Sequence, residues 1–206
     1  MDETTKLLLA NILSLIGNVI ATSAAVFRAK KRVLLFQSAN HVLEIVSQFL
    51  TKAYSGVTQE GISLIRNVLF VFVKTTKKLP KLIISLLCLV AGLALGIFIN
   101  VRFGGNVWYG YLPIAGAAVY AVFVIVSFLS NAEESLTELF LKIGLVFNAI
   151  CWSAYGAFVE LYPVLIFNAV AFVLSVISGA RILRARRAER KAKLASLAEG
   201  EKSAEE

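Results

Sequence analysis

The side chains of this sequence that are able to do chemistry lie inside long apolar runs. Residues 33–52 carry Gln37, Asn40, His41, Glu44, Ser47 and Gln48, at spacings of three, four and seven. On an α-helix those spacings place the residues on one face. Asn148, Trp152 and Tyr155 repeat the spacing in a later run, and Asn11, Ser14 and Asn18 make a similar stripe near the start. A carboxyl and an imidazole on one face suit the binding of a polar solute or the relay of a proton. Asparagine, tryptophan and tyrosine suit hydrogen bonding to, and stacking on, a planar or sugar-like ligand. The structural alternatives are an interior histidine satisfied by a neighbour and aromatic rings that only pack.

Glu44 and Arg66 bring in a third run. Each lies 11 residues from Ser55, the centre of a short turn. In an antiparallel hairpin both would reach about 16 Å from that turn, close to the middle of a bilayer. A charge at that depth costs roughly 2.5–3.5 kcal/mol, which pairing or nearby water offsets. Two readings follow: Glu44, His41 and Arg66 line a substrate or proton path, or Glu44 and Arg66 form a buried ion pair that locks the hairpin.

Catalytic signatures are missing. The sequence holds no Walker A loop, HExxH, GxSxG or GxGxxG motif. His41 is the only histidine, and no ligand set at metal-binding spacing accompanies it. A buried Glu–His pair without a nucleophile gives little ground for catalysis, so neither an enzyme nor a cofactor is expected. Cys88 and Cys151 sit in apolar runs without a CxxC partner and read as small buried hydrophobes.

These side chains must be positioned by apolar helices. Of the 206 residues 58% are hydrophobic, which leaves too little polar surface to cover a water-soluble globule. Seven runs cover residues 7–27, 33–52, 56–74, 82–101, 108–129, 139–158 and 161–180. About 20 residues cross a hydrocarbon layer of roughly 30 Å, so each run predicts one crossing of a lipid bilayer. The connections between runs two and three, and six and seven, are short enough to force antiparallel neighbours.

Charge placement sets the expected orientation. The net charge of +8 does not point to nucleic acid, because the positive residues flank the spans. They are Arg28, Lys30, Lys31 and Arg32; Lys74, Lys77, Lys78 and Lys81; and the tail from Arg181 to Lys193. With seven crossings these segments share one side, which predicts an N-terminus outside and a C-terminus in the cytoplasm. The segment Asn131–Glu138, with three glutamates and no lysine, falls on the same side. The acidic start MDETTK lacks the basic region of a cleaved signal peptide, so the first span is expected to remain. The tail, residues 181–206, either extends the last helix over anionic lipid or is a solvated topology anchor.

Residues 33–75 and 141–183 share a layout at a shift of 108, with Asn40 on Asn148, Tyr54 on Tyr162, Val68 on Val176 and Glu60 on Asn168. Adding the first and fifth spans gives two three-helix units, 7–75 and 108–180, joined by a linker helix, 82–101. The expected fold is thus an all-α polytopic membrane protein in a three-plus-one-plus-three arrangement. An odd unit and an inverting linker make the repeat parallel, about an axis along the membrane normal. Gly92 and Gly96 form a GxxxG that allows close helix approach, internally or in a homo-oligomer, with internal packing favoured. Pro113 and Gly116 predict a bend in the fifth span.

The block FQSANHVLEIVSQFLTKAYSGVTQEGISLIRNVLFVF, Phe36 to Phe72, resembles the YgjV-type bacterial inner-membrane proteins. The carrying features are His41, the turn Tyr54–Gly56 and the pair Arg66–Asn67; the segment WSAYGAFVELYPVLIFNAVAFVLSVISGARILR is similar to that family's C-terminal half. Those proteins are similar in layout to the SWEET and PQ-loop superfamily and to the nicotinamide riboside carriers of the PnuC type. The resemblance implies a bacterial inner-membrane location and a cavity between two units, lined by spans one, two, five and six, with Asn40, Glu44, Asn148 and Trp152 near it. The sequence departs from the SWEET pattern in having no Pro-Gln dipeptide and no proline in its first unit. The expected function is transport of a small solute, its substrate unknown, at a midplane site drawn from Asn18, Asn40, His41, Glu44, Arg66, Asn67, Asn148, Trp152, Tyr155 and Asn168. The competing reading is a non-transporting receptor, scaffold or assembly factor of the same fold.

Overall fold

The computed structural model describes residues 1–23, 30–72, 78–129 and 134–205. They form seven α-helices: α1 (Glu3–Ser23), α2 (Lys30–Leu50), α3 (Tyr54–Phe72), α4 (Lys78–Arg102), α5 (Leu112–Leu129), α6 (Glu134–Phe158) and α7 (Tyr162–Glu205), with a 3-10 turn at Trp108–Tyr111. Each predicted span has its helix. The last one runs past residue 180 without a break, so the basic stretch from Arg181 continues α7. Arg28, Lys74, Lys77, Asn131 and Glu133, on which the charge reading partly rests, lie outside the described residues.

Among the described residues, five helical stretches are long and apolar enough to cross a membrane: Glu3–Ser23, Leu79–Arg102, Trp108–Leu129, Leu136–Phe158 and Tyr162–Ala188. The other two helices, α2 and α3, carry the stripe of polar side chains that lowers their hydropathy. Burial runs opposite to that of a soluble protein. Phe72 is 77% and Leu87 64% exposed, whereas Ser14, Glu44, Ser47, Gln48 and Gln59 are buried. Apolar groups face outward and polar groups converge inward, as lipid requires, since it offers side chains no hydrogen bonds.

Consecutive helices pack as neighbours, and α1 packs on α7, which closes the chain into a ring; α3 also reaches α5. One face of the molecule collects the start of α1, the α2–α3 turn, the α4–α5 link and the α6–α7 turn, and is called here the N-terminal face. On it, Asp2 caps α1 by accepting the Thr5 backbone N–H at 3.1 Å. Its hydrogen bonds to Thr5 hold the Asp2 carboxyl below its usual range.

The two short turns have the same geometry. Lys52 and Glu160 each adopt the left-handed conformation, with φ of 58° and 59°. The Ala53 N–H donates to the Gln48 carbonyl at 2.8 Å, and the Leu161 N–H to the Gly156 carbonyl at 2.9 Å. This six-to-one bond satisfies a carbonyl that the helix end leaves free. Neither left-handed residue is glycine, a strain of about 1–2 kcal/mol at each turn.

Small residues let the helices approach. A Cβ on Gly17 would meet Asn40 Oδ1 at 2.7 Å and Leu43 Cβ at 3.3 Å; one on Gly116 would meet Cys151 Cβ at 2.8 Å and Asn148 Oδ1 at 3.3 Å. The GxxxG of α4 is occupied within the molecule, since Gly92 and Gly96 both face Gln59, whose Nε2 donates to the Gly92 carbonyl at 2.9 Å. Pro113 stands at the second residue of α5, where the 3-10 turn Trp108–Tyr111 passes into the helix. Pro80, Pro113 and Pro163 each fall in the first turn of a helix, where the missing N–H leaves no bond unmade, and α5 continues from Leu112 to Leu129.

Candidate functional site

Polar side chains of five helices meet in one cavity of about 210 Å³. α1 contributes Asn18, α2 contributes Asn40, His41 and Glu44, and α3 contributes Glu60. On the other side stand Asn148 and Trp152 from α6 and Val164 and Asn168 from α7. Depth follows from helix rise. Glu44 and Trp152 lie six residues before the ends of α2 and α6, and Glu60 and Asn168 six residues after the starts of α3 and α7. All four therefore sit about 9 Å in from the N-terminal face, with Asn40 and Asn148 at about 15 Å. Glu44 is nearer that face than its distance from Ser55 suggests, because the chain between Leu50 and Tyr54 turns without adding depth.

Glu44 is 3% exposed. Its Oε1 accepts from Ser14 Oγ at 2.7 Å and from Asn18 Nδ2 at 2.6 Å, so two residues of the α1 stripe hold the carboxyl of α2. Its Oε2 is buried without a hydrogen-bond partner, as are Asn40 Oδ1 and both amide atoms of Gln48. His41 Nδ1 lies 2.5 Å from Glu60 Oε2, pairing α2 with α3 along the cavity wall. One turn beyond Asn40, Gln37 is exposed, so the α2 stripe is interior only from Asn40 onward.

A second space, about 320 Å³, opens at the N-terminal face and is lined by Lys52, Tyr54, Asn100, Tyr109, Tyr155 and Glu160 among others. Tyr155 lines this vestibule and Trp152 lines the inner cavity, and their rings meet edge to face at 5.8 Å. The pair stands between the two spaces. The Tyr155 hydroxyl accepts from Ser55 Oγ and from the Gly56 N–H, each at 3.3 Å, which ties α6 to the first turn of α3. A matching tie runs from α1, where Asn11 Nδ2 donates to the Glu160 carbonyl and Asn11 Oδ1 accepts the Tyr162 N–H, both at 3.0 Å.

Seven of the ten residues nominated from the sequence line the cavity: Asn18, Asn40, His41, Glu44, Asn148, Trp152 and Asn168. Three do not. Tyr155 is turned to the vestibule, and Asn67 is buried elsewhere on α3. Arg66 borders a small cleft among α3, α4 and α5, its guanidinium carbon 5.9 Å from the Tyr120 ring centroid. The ion pairs among the described side chains are Lys6–Glu3, His41–Glu60 and Lys52–Glu3. The Glu44–Arg66 pair is therefore not made. Six residues separate Glu60 from Arg66, and at roughly 100° per residue this turns Arg66 about 120° away from the face that Glu60 gives to α2. Equal depth in a hairpin did not imply a shared face. The cavity also takes no residue from α5, contrary to the resemblance, because α5 packs on α6 through Gly116. Glu60 was overlooked as a site residue, although its alignment with Asn168 at the shift of 108 marked it.

Three pairs of positions 108 residues apart line this one cavity: Asn40 with Asn148, Glu44 with Trp152, and Glu60 with Asn168. The model of the family Imp-YgjV, described as a bacterial inner membrane protein, matches residues 8–186. Neither a curated protein nor a solved structure matches the chain.

Proposed function

The chain belongs to the YgjV family of bacterial inner membrane proteins, and from that premise we propose that it transports a small polar solute through the cavity at Glu44, Asn148 and Trp152. The observation that carries this reading is a roomy interior space at membrane depth lined almost wholly by polar side chains. A purely structural interior would spend its buried polar groups on one another, because an unsatisfied buried group costs about 1–3 kcal/mol. Asn148 instead lines the cavity with no hydrogen-bond partner among the described residues, and no arginine lines the space beside Glu44.

The proposal includes two parallel three-helix units, 7–75 and 108–180, with α4 as the linker. Its support is local and repeated. Lys52 and Glu160, 108 apart, take the same left-handed turn. Gly17 packs on Asn40 and Leu43, and Gly116 on Asn148 and Cys151, the contacted residues again standing 108 apart and the glycines 99. The contact between the two arms of each hairpin is also equivalent, with the sizes exchanged: Gln48 lies over Gly56, and Gly156 lies under Val164. The charge rule adds the orientation, with the N-terminal face outside and the end of α7 in the cytoplasm. No catalytic step is part of the reading.

The test is a comparison of metabolite uptake by cells with and without the protein, followed by reconstitution into vesicles with the solutes that differ. At least one small polar solute should accumulate differently, and Asn148→Leu, which keeps the volume and removes the amide, should reduce its flux about tenfold or more. Identical uptake profiles with correctly folded protein in the membrane would refute transport.

A further inference from the structure

The cavity wall is acidic. Two carboxyls, Glu44 and Glu60, line it with a single imidazole, His41, and neither lysine nor arginine is among the lining residues. The imidazole is committed to Glu60. Two amide donors are likewise committed to the protein: Asn18 Nδ2 to the Ser14 carbonyl and Glu44, and Asn168 Nδ2 to the Val164 carbonyl. The carboxyls outnumber the basic groups in this wall. The Trp152 ring stands at the depth of Glu44, in the opposite wall. A bound solute that balances this wall brings positive charge, and it meets an aromatic ring that favours a cation.

We propose that the cavity binds a small organic cation, an ammonium compound held beside Glu44 while its remainder lies against Trp152. The space of about 210 Å³ accommodates a compact amine. An anion would meet two carboxyls with no basic residue to receive it, and a neutral polyol would leave Glu44 without a counter-charge. The proposal rests on the transport reading only for its use of the cavity as a solute site.

The test is equilibrium binding to the purified full-length protein in detergent with three probes of one shape: 4-hydroxybutylammonium, butane-1,4-diol and 4-hydroxybutanoate. The chain has two tryptophans, so Trp108→Phe, a change at an exposed residue outside the cavity, leaves Trp152 as the fluorescent reporter. The cation should bind about tenfold or more tightly than the diol and the hydroxy acid, and shift Trp152 emission. Glu44→Gln should erase that preference while Arg66→Gln retains it. Equal affinity for cation and diol, or preference for the anion, overturns the charge assignment but leaves a solute site and the transport reading standing. Absence of binding by all three overturns the inference, and the uptake comparison then judges transport separately. If Glu44→Gln does not fold, the ranking of the three probes on the parent protein still decides.

Discussion

Replacing Tyr155 by phenylalanine tests whether the contact between α6 and the start of α3 holds the bundle. The ring stays, so packing against Trp152 and the cavity floor is unchanged, and only the hydroxyl is lost. That oxygen accepts from Ser55 Oγ and the Gly56 N–H, each at 3.3 Å. Gly56 is the third residue of α3, so its N–H is one of the donors that the helix itself leaves unpaired. A buried donor without a partner costs about 1–3 kcal/mol. The long distances place the loss near the lower end, at about 1–1.5 kcal/mol, since the Ser55 hydroxyl can rotate to another acceptor. For a chain of this size that corresponds to a fall in melting temperature of about 2–6 °C. The assay is thermal unfolding of detergent-solubilised protein followed by size-exclusion recovery. Tyr162→Phe, at an exposed position, is the control and should stay within about 0.5 kcal/mol of the parent. Coincident melting curves for Tyr155→Phe and the parent would refute the reasoning.

Two further predictions follow from the packing. Asn11→Leu removes both bonds from α1 to the α6–α7 turn and should cost about 1–2 kcal/mol, with faster amide exchange at Tyr162; unchanged exchange there would contradict the tie. Gly116→Ala, whose Cβ would come within 2.8 Å of Cys151 Cβ, should destabilise by about 1–3 kcal/mol. Gly61→Ala, with nothing within 4 Å of the added carbon, should stabilise by about 0.4–1 kcal/mol, and a reversed order of the two melting temperatures would show that α5 and α6 are not in close contact.

The helices and their hairpins were legible in the sequence because continuous apolar length and short connections leave few alternatives in lipid. The face of α2 was legible too, since spacings of three and four fix an angular position, and Asn40, His41 and Glu44 do share the cavity. The partner of Glu44 was not. Distance from a turn fixes depth, but the angle between Arg66 and Glu44 depends on how α3 is rotated, and small residues such as Gly56 and Gly92 set that rotation through contacts far apart in the chain. Asn11 reached its partner for a similar reason beyond the reach of spacing, because α1 and α7 become neighbours only when the ring closes.

The ties made by Tyr155 and Asn11 both lie at the N-terminal face, and each runs from one half of the chain to the hairpin turn of the other. A molecule stitched along one rim parts most cheaply at the opposite one. The halves would swing like the jaws of a peg, with the crossed stitches as the spring and the ends of α1, α2, α6 and α7 far from the turns as the tips. On that geometry, loosening the stitches alters how readily the tips separate before it alters what the hollow between them can hold.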